Sequence, residues 1–374
     1  MIKVAIDAKN LAKYSGGIAE YIKPLLIAWI GSHPEIEFVL IAPEFDSKDF
    51  IELPNCCIFH VGWPDYLPRF ARHPIYDNVL FPNAIRKISP HLLFTPYHDV
   101  RIPKGIPSVM MIHDTCIGSL GDVYPLKIRK YYEFMLRLNL SRCIHVITVS
   151  ESSRSDIVKR YRLQKDFVSV VPNCLSSSFA SYAFDGEDHI KKIRNQQHGE
   201  MRLFYTGGSE YRKNIHRLIL SLEVLEAEGV DVQLYSTGCA DEGWVRASAG
   251  VKKSVMRRVN FLGYLSHNDL RNHYLATDVV VYPSLCEGFG RVCLEAMELG
   301  VALACSDIPV FREVAGDYPE FFNPLSISEL VSAINLAWKK KIRPPKIDPR
   351  FQRDVVVNEF IHTMDFQLNK ALQI

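Results

Sequence analysis

The chain has 374 residues, of which 48% are hydrophobic and 23% are charged, and its formal net charge is +2. A chain of this length is expected to form about two domains, and this composition is that of a folded globular protein. Because the net charge is close to neutral, no nucleic-acid partner is expected. The nine cysteines include no C-x-x-C pair, which predicts reduced thiols rather than a zinc site or a disulfide framework.

The start of the chain, MIKVAIDAKN, runs directly into a predicted strand and lacks the apolar core of a signal peptide. No apolar run reaches the roughly 18 residues that a membrane-spanning helix needs. We therefore expect a cytoplasmic protein.

Short apolar runs rich in β-branched residues alternate with helix-length segments, which predicts an α/β protein with doubly wound parallel sheets. The predicted strands of the first half cover residues 4–6, 38–41, 92–95, 109–112, 146–149 and 168–171. Those of the second half cover residues 203–206, 232–235, 279–282 and 302–305. The polar segment between Pro172 and Met201 is predicted to connect two domains.

Polar and glycine-rich loops follow several of these strands, where ligands bind in open α/β sheets. Gly16 and Gly17 precede a predicted helix and are compatible with close approach to a substrate or with an ordinary turn. His113 follows the strand that ends at residue 112, and both a structural and a catalytic role are open for it. Arg212 and Lys213, in GGSEYRKN, are suited to a diphosphate or to a solvated basic turn.

The segment from 278 to 313 has the most specific pattern. A buried strand, the loop CEGFG and a helix that ends at Gly300 place backbone N–H groups at a helix N-terminus, which predicts an anion site. Glu287 lies before this helix and Glu295 eight residues later. Each acid taken alone could be a solvated residue that the helix dipole favours. Together with the two glycines they favour a ligand site for phosphate.

The motifs GGIAEY, MMIHDT, ITVSESSRSDI, VVPN, GGSEYRKN, FLGYLS, YPSLCEGFGRVCLEAM and SDIPVFREVAGD occur in this order along the chain. With these motifs in this order, the sequence resembles the family 4 retaining glycosyltransferases. It resembles most of all their bacterial mannosyl-, rhamnosyl- and fucosyltransferase branch. The resemblance implies a GT-B fold, in which two Rossmann-like domains face an interdomain cleft. It implies an acceptor-binding domain over 1–172, a nucleotide-sugar-binding domain over 173–354, and a helix over 355–374 that crosses back to the first domain.

The resemblance also implies roles for individual residues. Glu287, His113, Arg212 and Lys213 would be catalytic, with His113 beside the transferred sugar and the two cations on the diphosphate. Glu295 would bind the ribose hydroxyls. The other residues implied to contact the donor are Gly16, Gly17, Gly208, Tyr264, Leu265, Gly288, Phe289 and Gly290. Gly208 is a departure, because many relatives carry a basic residue there.

The implied reaction breaks a glycosyl phosphate bond, which leaves negative charge on the departing diphosphate, so fixed cations at the leaving group are the most useful catalytic device. The sequence contains no D-x-D motif, so neither a metal nor a cofactor is expected. The resemblance favours GDP-mannose as the donor and surface polysaccharide synthesis as the process.

A lipid-linked glycan is the predicted acceptor, because basic and aromatic residues recur in the N-terminal half and would suit peripheral contact with the inner face of the cytoplasmic membrane. They are Trp63, Tyr66, Arg69, Phe70, Arg72, Lys127, Arg129, Lys130, Tyr131, Tyr132, Phe134 and Arg137. An ordinary solvated helix with an apolar core face explains the same pattern.

Three alternative functions share parts of this pattern. A nucleotide-sugar epimerase of the same fold would use the diphosphate site without an acceptor. A non-catalytic nucleotide-sugar-binding subunit would retain the site, although the presence of all four charged residues argues against it. A glycoside hydrolase would need its two carboxyl groups to flank one glycosidic bond, and Glu295 is better explained by ribose.

Overall fold

The computed structural model describes residues 1–11, 17–43, 50, 52–175, 200–340 and 347–373. The chain divides into two compact units. The first unit consists of Met1–Cys174 and Arg350–Ile374, and the second consists of Leu175–Pro349. Most of the predicted interdomain segment lies in 176–199, outside the described residues.

The first unit contains a parallel sheet of seven strands in the order β3-β2-β1-β4-β5-β6-β7. Its strands are β1 (Ile2–Asp7), β2 (Ile36–Ala42), β3 (Cys56–His60), β4 (Leu92–Thr95), β5 (Ser108–Met111), β6 (His145–Thr148) and β7 (Val168–Val170). In the centre, β1 pairs with β2 through Asp7 and Ile41 and with β4 through Ile6 and Phe94.

The second unit contains a parallel sheet of six strands in the order β10-β9-β8-β11-β12-β13. Its strands are β8 (Met201–Tyr205), β9 (Val232–Ser236), β10 (Val259–Phe261), β11 (Val279–Tyr282), β12 (Leu303–Ser306) and β13 (Glu320–Phe322). Val280 of β11 pairs with Phe204 of β8 on one side and with Leu303 of β12 on the other. All four residues of β11 are buried, as expected for a strand covered on both faces.

Helices connect the strands in both units. The α-helices are α1 (Gly17–Ser32), α2 (Arg69–Ile75), α3 (Phe81–Ile88), α4 (Cys116–Ser119), α5 (Leu126–Leu140), α6 (Glu151–Tyr161), α7 (Ile215–Ala227), α8 (Glu242–Ala247), α9 (Lys253–Met256), α10 (His267–Leu275), α11 (Arg291–Glu298), α12 (Pro309–Ala315), α13 (Ile327–Lys339) and α14 (Arg353–Ala371). A π-helical turn, Tyr76–Leu80, joins α2 to α3. No helix among the described residues has the length and apolar character needed to cross a bilayer.

The last helix belongs to the core of the first unit. Phe360 of α14 is fully buried, and its ring lies 6.0 Å from that of Trp29 on α1 and 5.6 Å from that of Phe94 on β4. Trp29 also donates a hydrogen bond from Nε1 to Asp365 Oδ1 over 2.9 Å. The aromatic contacts bury large apolar surfaces and the hydrogen bond satisfies the indole N–H, which explains why α14 packs on the first sheet.

Every strand that the apolar runs predict is present to within two residues. The apolar runs do not predict β3, β10 and β13. Each of these strands lies at an edge of its sheet. Edge strands are covered less completely, and β3 has no buried residue. β10 and β13 are only three residues long, which is too short for a distinct apolar run, whereas β7, which is also an edge strand, was predicted.

Candidate functional site

In the second unit, the loops after β8 and β11 meet where the strand order reverses. The chain runs from β8 outward to β9 and β10, and from β11 outward to β12 and β13. The backbone N–H of Leu285 donates to the carbonyl oxygen of Arg212 over 2.7 Å, and Asn214 Nδ2 donates to the carbonyl oxygen of Pro283 over 2.9 Å. These bonds join the two loops, and the carboxyl edge at such a reversal is the usual ligand site of an open α/β sheet.

Four side chains from these elements form what we call the Glu287 cluster: Arg212, Lys213, Tyr282 and Glu287. Arg212 Nη1 lies 2.8 Å from Glu287 Oε2, and Lys213 Nζ lies 2.7 Å from Glu287 Oε1. The Tyr282 hydroxyl donates to Glu287 Oε1 over 3.1 Å. Burial by itself would raise the pKa of Glu287, but the charges of Lys213 and Arg212 outweigh it and lower this pKa to about 2. Glu287 is therefore ionised and holds both cations in place.

Arg212 is shared between a buried and an exposed carboxylate. Its Nε lies 2.7 Å from Oε2 of Glu210, whose side chain is 59% exposed, whereas the side chain of Glu287 is 8% exposed. A guanidinium has five N–H donors in a fixed arrangement. The contact with Glu287 therefore fixes Arg212, while a ligand phosphate could replace the solvated Glu210 carboxylate.

The helix that follows, α11, begins at a constrained glycine. Gly290 has φ +92°, and a Cβ atom built on it would lie 2.5 Å from Cε1 of the buried Phe311. Only glycine satisfies both the left-handed backbone and this close contact. Phe289 buries its side chain in the core. The loop is therefore suited to offer its backbone to a ligand, and the N-terminus of α11 favours an anion.

Glu295 lies on α11 and is 5% exposed. Its Oε2 accepts a hydrogen bond from the buried Tyr274 hydroxyl over 2.6 Å, and its Oε1 accepts one from Arg291 Nη2 over 3.2 Å. A carboxylate can accept about four hydrogen bonds, so these two contacts leave capacity for ligand hydroxyls. Tyr274 and Tyr282 were not predicted as site residues, because nothing near either tyrosine in the sequence shows which carboxylate it contacts.

The two glycines of the β8 loop differ in how much room they have. Gly208 is predicted to contact the donor, and its carbonyl oxygen accepts a hydrogen bond from the Tyr205 hydroxyl over 2.7 Å. A Cβ atom on Gly208 would meet nothing closer than 3.9 Å, whereas one on Gly207 would lie 2.7 Å from the Tyr205 hydroxyl oxygen. The shape of this turn therefore depends on Gly207, which the sequence analysis did not single out.

The loop after β10 carries the two residues that the sequence analysis placed near a nucleobase. Tyr264 is 99% exposed, and Leu265 is half-buried. Just before them, the backbones of Gly238 and Gly263 form a two-bond antiparallel bridge with N–O distances of 2.7 and 3.0 Å. The bridge joins the loops after β9 and β10, so Tyr264 projects from a fixed backbone.

The remaining predicted site residues lie in the first unit. Gly17 is the first residue of α1, while Gly16 lies outside the described residues. His113 Nε2 lies 2.8 Å from the carbonyl oxygen of Pro96, so Nε2 is the protonated donor. Burial lowers the pKa of His113 to about 4. At neutral pH this imidazole is uncharged, and its Nδ1 atom can accept a hydrogen bond but cannot supply a proton.

The basic and aromatic residues of the first unit lie partly on the surface. On α5, the side chains of Ile128, Tyr131 and Phe134 are exposed beside exposed Lys127 and Lys130. Elsewhere in the unit, Tyr66 and Phe70 are 83% and 84% exposed. Trp63 and Tyr132 were predicted to belong to the same surface, but both pack against buried core residues.

Two family descriptions match the chain. Residues 15–179 match "Glycosyltransferase Family 4", and residues 186–351 match "Glycosyl transferases group 1". The two matches do not overlap, and together they cover most of the sequence.

Among curated proteins, the chain is 28% identical over 243 residues to the O-antigen chain mannosyltransferase RfbU of Salmonella typhimurium, covering 65% of this chain and 64% of that protein. It is 30% identical over 216 residues to the O-antigen chain mannosyltransferase B of Escherichia coli, covering 56% and 55%. The chain therefore matches less than two thirds of the length of either relative.

Among solved structures, the sucrose-phosphate synthase from Thermosynechococcus elongatus superposes with a TM-score of 0.70 at 18% identity. The superposition covers 100% of this chain and 97% of that one. The similarity shows that the two parallel sheets form a GT-B fold.

Proposed function

Because the chain belongs to the glycosyltransferases, with residues 15–179 matching "Glycosyltransferase Family 4" and residues 186–351 matching "Glycosyl transferases group 1", we propose that it transfers a hexose from a nucleotide diphosphate sugar to a glycan acceptor. Retention at the anomeric carbon and independence from a metal are part of the proposal. The curated relatives named as O-antigen chain mannosyltransferases favour mannose as the sugar, GDP-mannose as the donor and surface polysaccharide as the product.

The Glu287 cluster is the observation that carries this proposal. When the bond between the anomeric carbon and the diphosphate breaks, its electron pair remains on the departing diphosphate. Arg212, Lys213 and the N-terminus of α11 would stabilise this charge, with Glu287 holding the two cations and binding sugar hydroxyls. Because these groups are fixed before the reaction, little reorganisation is needed in the transition state.

The other site residues receive complementary roles. Glu295 would bind the ribose hydroxyls, and the fully exposed Tyr264, with Leu265, would lie at the nucleobase. Backbone groups of Gly208, Gly288, Phe289 and Gly290 would contact the phosphates and the sugar. In the first unit, Gly16, Gly17 and neutral His113 would contact the donor sugar, with His113 Nδ1 accepting a hydrogen bond from a hydroxyl.

A lipid-linked glycan is the proposed acceptor, and the exposed aromatic and basic side chains of α5 support peripheral contact with a membrane. Ile128, Tyr131 and Phe134 offer apolar surface, and Lys127 and Lys130 offer charges that anionic lipids attract. Flotation with vesicles that contain anionic lipid at low salt tests this contact. Membrane contact is supported if the wild type floats with the vesicles and Phe134→Ser does not. A wild type that does not float with them would remove the contact from the proposal.

The reaction itself is tested with GDP-mannose, other nucleotide sugars and lipid-linked acceptors, by following nucleotide release, product mass and anomeric configuration with and without EDTA. Nucleotide release that depends on the acceptor supports a transferase, whereas isomerised sugar would identify an epimerase. Glu287→Gln is expected to lower turnover about 100-fold or more, because the cations lose the charge that fixes them.

Glu210→Gln is the matched control, since Glu210 contacts the same guanidinium but is exposed. This substitution should change turnover by no more than about threefold, because an exposed pair contributes little. Glu295→Gln should mainly raise the KM for the donor. Equal losses of turnover in the Glu287 and Glu210 variants would refute the role given to the cluster.

A further inference from the structure

Arg291 occupies an unusual place for a cation, because it is the first residue of α11. The N-terminus of a helix carries a partial positive charge, which makes a cation there unfavourable. An arginine four residues before a glutamate is also the less favourable order for an ion pair on a helix. The first turn of α11 contains no acidic residue that would offset this cost. The stability of the helix therefore does not explain an arginine at this position.

The contact that Arg291 makes is with Glu295, one turn further along α11. Arg291 Nη2 lies 3.2 Å from Glu295 Oε1, and the two side chains are 19% and 6% exposed. The other oxygen, Oε2, accepts a hydrogen bond from the Tyr274 hydroxyl over 2.6 Å. Tyr274 lies on α10 and is fully buried. The two carboxylate oxygens of Glu295 are therefore held by donors from two different helices.

A carboxylate that is held at both oxygens can bind hydroxyl groups without first being ordered. With Tyr274 alone, the terminal torsion of Glu295 would remain broad, as it is for glutamates in general. A ligand that has to immobilise such a side chain loses affinity for the lost rotamer freedom. Arg291 removes this loss in advance, because its bond to Oε1 fixes the remaining torsion. Each oxygen keeps a second acceptor position for a ligand hydroxyl.

The charge of Arg291 contributes as well as its hydrogen bond. A nearly buried carboxylate needs a partner of opposite charge, and the neutral Tyr274 hydroxyl does not supply one. Hydrogen bonds to a charged carboxylate are roughly twice as strong as those between neutral groups. The pair with Arg291 therefore favours a carboxylate that accepts strong hydrogen bonds from hydroxyl donors.

We propose that Arg291 is a positioning residue of the donor site, which orients Glu295 so that its carboxylate selects nucleotides with ribose hydroxyls. The substrate class is then a ribonucleoside diphosphate sugar, and a donor with a deoxygenated ribose is rejected. The inference rests on the proposed function, in which Glu295 binds ribose, and adds to it the residue that sets this selectivity.

The experiment measures the Kd of the full chain for GDP and for the analogue of GDP that lacks both ribose hydroxyls, with UDP and its corresponding analogue as a second pair. In at least one pair, the wild type should prefer the ribonucleotide about 10- to 100-fold, the contribution of hydrogen bonds to a charged group. Arg291→Leu should reduce this preference about 5- to 10-fold, because it weakens binding of the ribonucleotide and leaves the analogue within about twofold. With GDP-mannose, the KM should rise more than kcat falls, since the ribose lies away from the bond that breaks.

Two further variants serve as controls. Arg291→Lys keeps the charge and a donor, so it should restore most of the preference that Arg291→Leu removes. Arg258 also pairs with a glutamate, over 2.8 Å to Glu226, and its side chain is 20% exposed, but it lies directly before β10 at the opposite edge of the sheet. Arg258→Leu should therefore leave both Kd values unchanged.

A double-mutant cycle separates an action through Glu295 from a direct contact with the nucleotide. In the Glu295→Gln background, Arg291→Leu should have no further effect on the Kd for the ribonucleotide. An equal loss in both backgrounds, or an unchanged preference in Arg291→Leu, would overturn the positioning role while leaving the transferase function intact. A wild type without any preference for the ribonucleotides would overturn the ribose role of Glu295 and this inference with it. A wild type that binds neither diphosphate and transfers no sugar would overturn the proposed function as well.

Discussion

The two sheets carry ion clusters at equivalent places but with opposite charge balance. In the second unit two cations, Arg212 and Lys213, share the buried Glu287. In the first unit one cation, Lys9, is shared by Asp77 and Asp99, with Asp7 alongside. Both clusters lie at the carboxyl edge of a parallel sheet where the strand order reverses. The backbone topology therefore fixes where a site forms, and the side chains decide which charge it favours.

Because the charge balance differs, the two sites differ in how they interact with an anionic ligand. An edge with two cations and a helix N-terminus favours an anionic diphosphate, while an edge with an excess of carboxylates repels one.

The largest expected effect comes from removing Lys9, the cation that Asp77 and Asp99 share. Lys9→Met should lower the free energy of unfolding by about 3–5 kcal/mol, because it leaves two carboxylates without their shared partner. Lys213→Met should cost less, about 1–3 kcal/mol, since Glu287 keeps its ion pair with Arg212. Urea denaturation of both variants measures the difference.

Lys340→Met is the surface control for these two variants. Lys340 pairs with Glu320 over 2.8 Å, but its side chain is 50% exposed, so the loss should stay below about 1 kcal/mol. Similar losses for Lys9→Met and Lys213→Met would contradict the contrast between one cation and two.

The next effect concerns the backbone of the second edge. Gly290→Ala should lower the free energy of unfolding by about 2–5 kcal/mol, because the left-handed backbone and the contact with Phe311 each oppose a Cβ atom. Gly250→Ala is the matched control, since Gly250 has φ +81° and open space around its Cβ position. The control should cost only about 1–2 kcal/mol. Thermal unfolding of the two variants compares them, and equal losses would mean that Phe311 can move aside.

The smallest effect is the response to acid of His113 in the first unit and of Glu287 in the second. The folded-state pKa of His113 is about 4, below its usual 6.5, so the unfolded chain takes up a proton first and stability is lost as pH falls from about 6.5 to 4. The pKa of Glu287 is lowered from 4.5 to about 2, so its contribution is lost only as pH falls below about 4.5. The contribution of His113 should therefore be lost at a higher pH than that of Glu287.

Urea denaturation at a series of pH values gives the free energy of unfolding of the wild type and of His113→Gln, which keeps a donor for the Pro96 carbonyl. The difference between these two free energies should be constant above about pH 7.5. Between pH 6.5 and 4 it should change by up to about 3 kcal/mol, because the wild type loses more stability. A difference that stays constant over this range would show that His113 is not held neutral by burial.

Much of the fold follows from local sequence patterns. Central strands such as β4 and β11 are buried along their whole length, so their residues form continuous apolar runs that are visible in the sequence. The edge strands β3, β10 and β13 were not predicted, because a strand with one open side does not need such a run. Among the edge strands that the structure describes, β7 alone was predicted from the sequence.

The two ion clusters show the same limit for the candidate site. Arg212, Lys213 and Glu287 were identified because each lies in a short glycine-containing loop whose pattern is local. Lys9, Asp77 and Asp99 were missed, because no local pattern surrounds them and their partners lie 68 and 90 residues apart in the chain. The same limit applies to the glycines, because nothing in the sequence shows that Tyr205 leaves no room for a Cβ atom on Gly207 but does leave room for one on Gly208.

The sequence by itself determined the alternation of strands and helices, the glycine turn before α11 and the charged residues of the loops after β8 and β11. These features depend on residues close together in the chain, where periodicity and backbone preference act. The tertiary structure alone decided that Glu287 binds both cations, that Glu295 binds Tyr274 and that Lys9 lies between Asp77 and Asp99. The physical reason is that an ion pair or a buried hydrogen bond depends on distance in space, which the order of strands in each sheet sets.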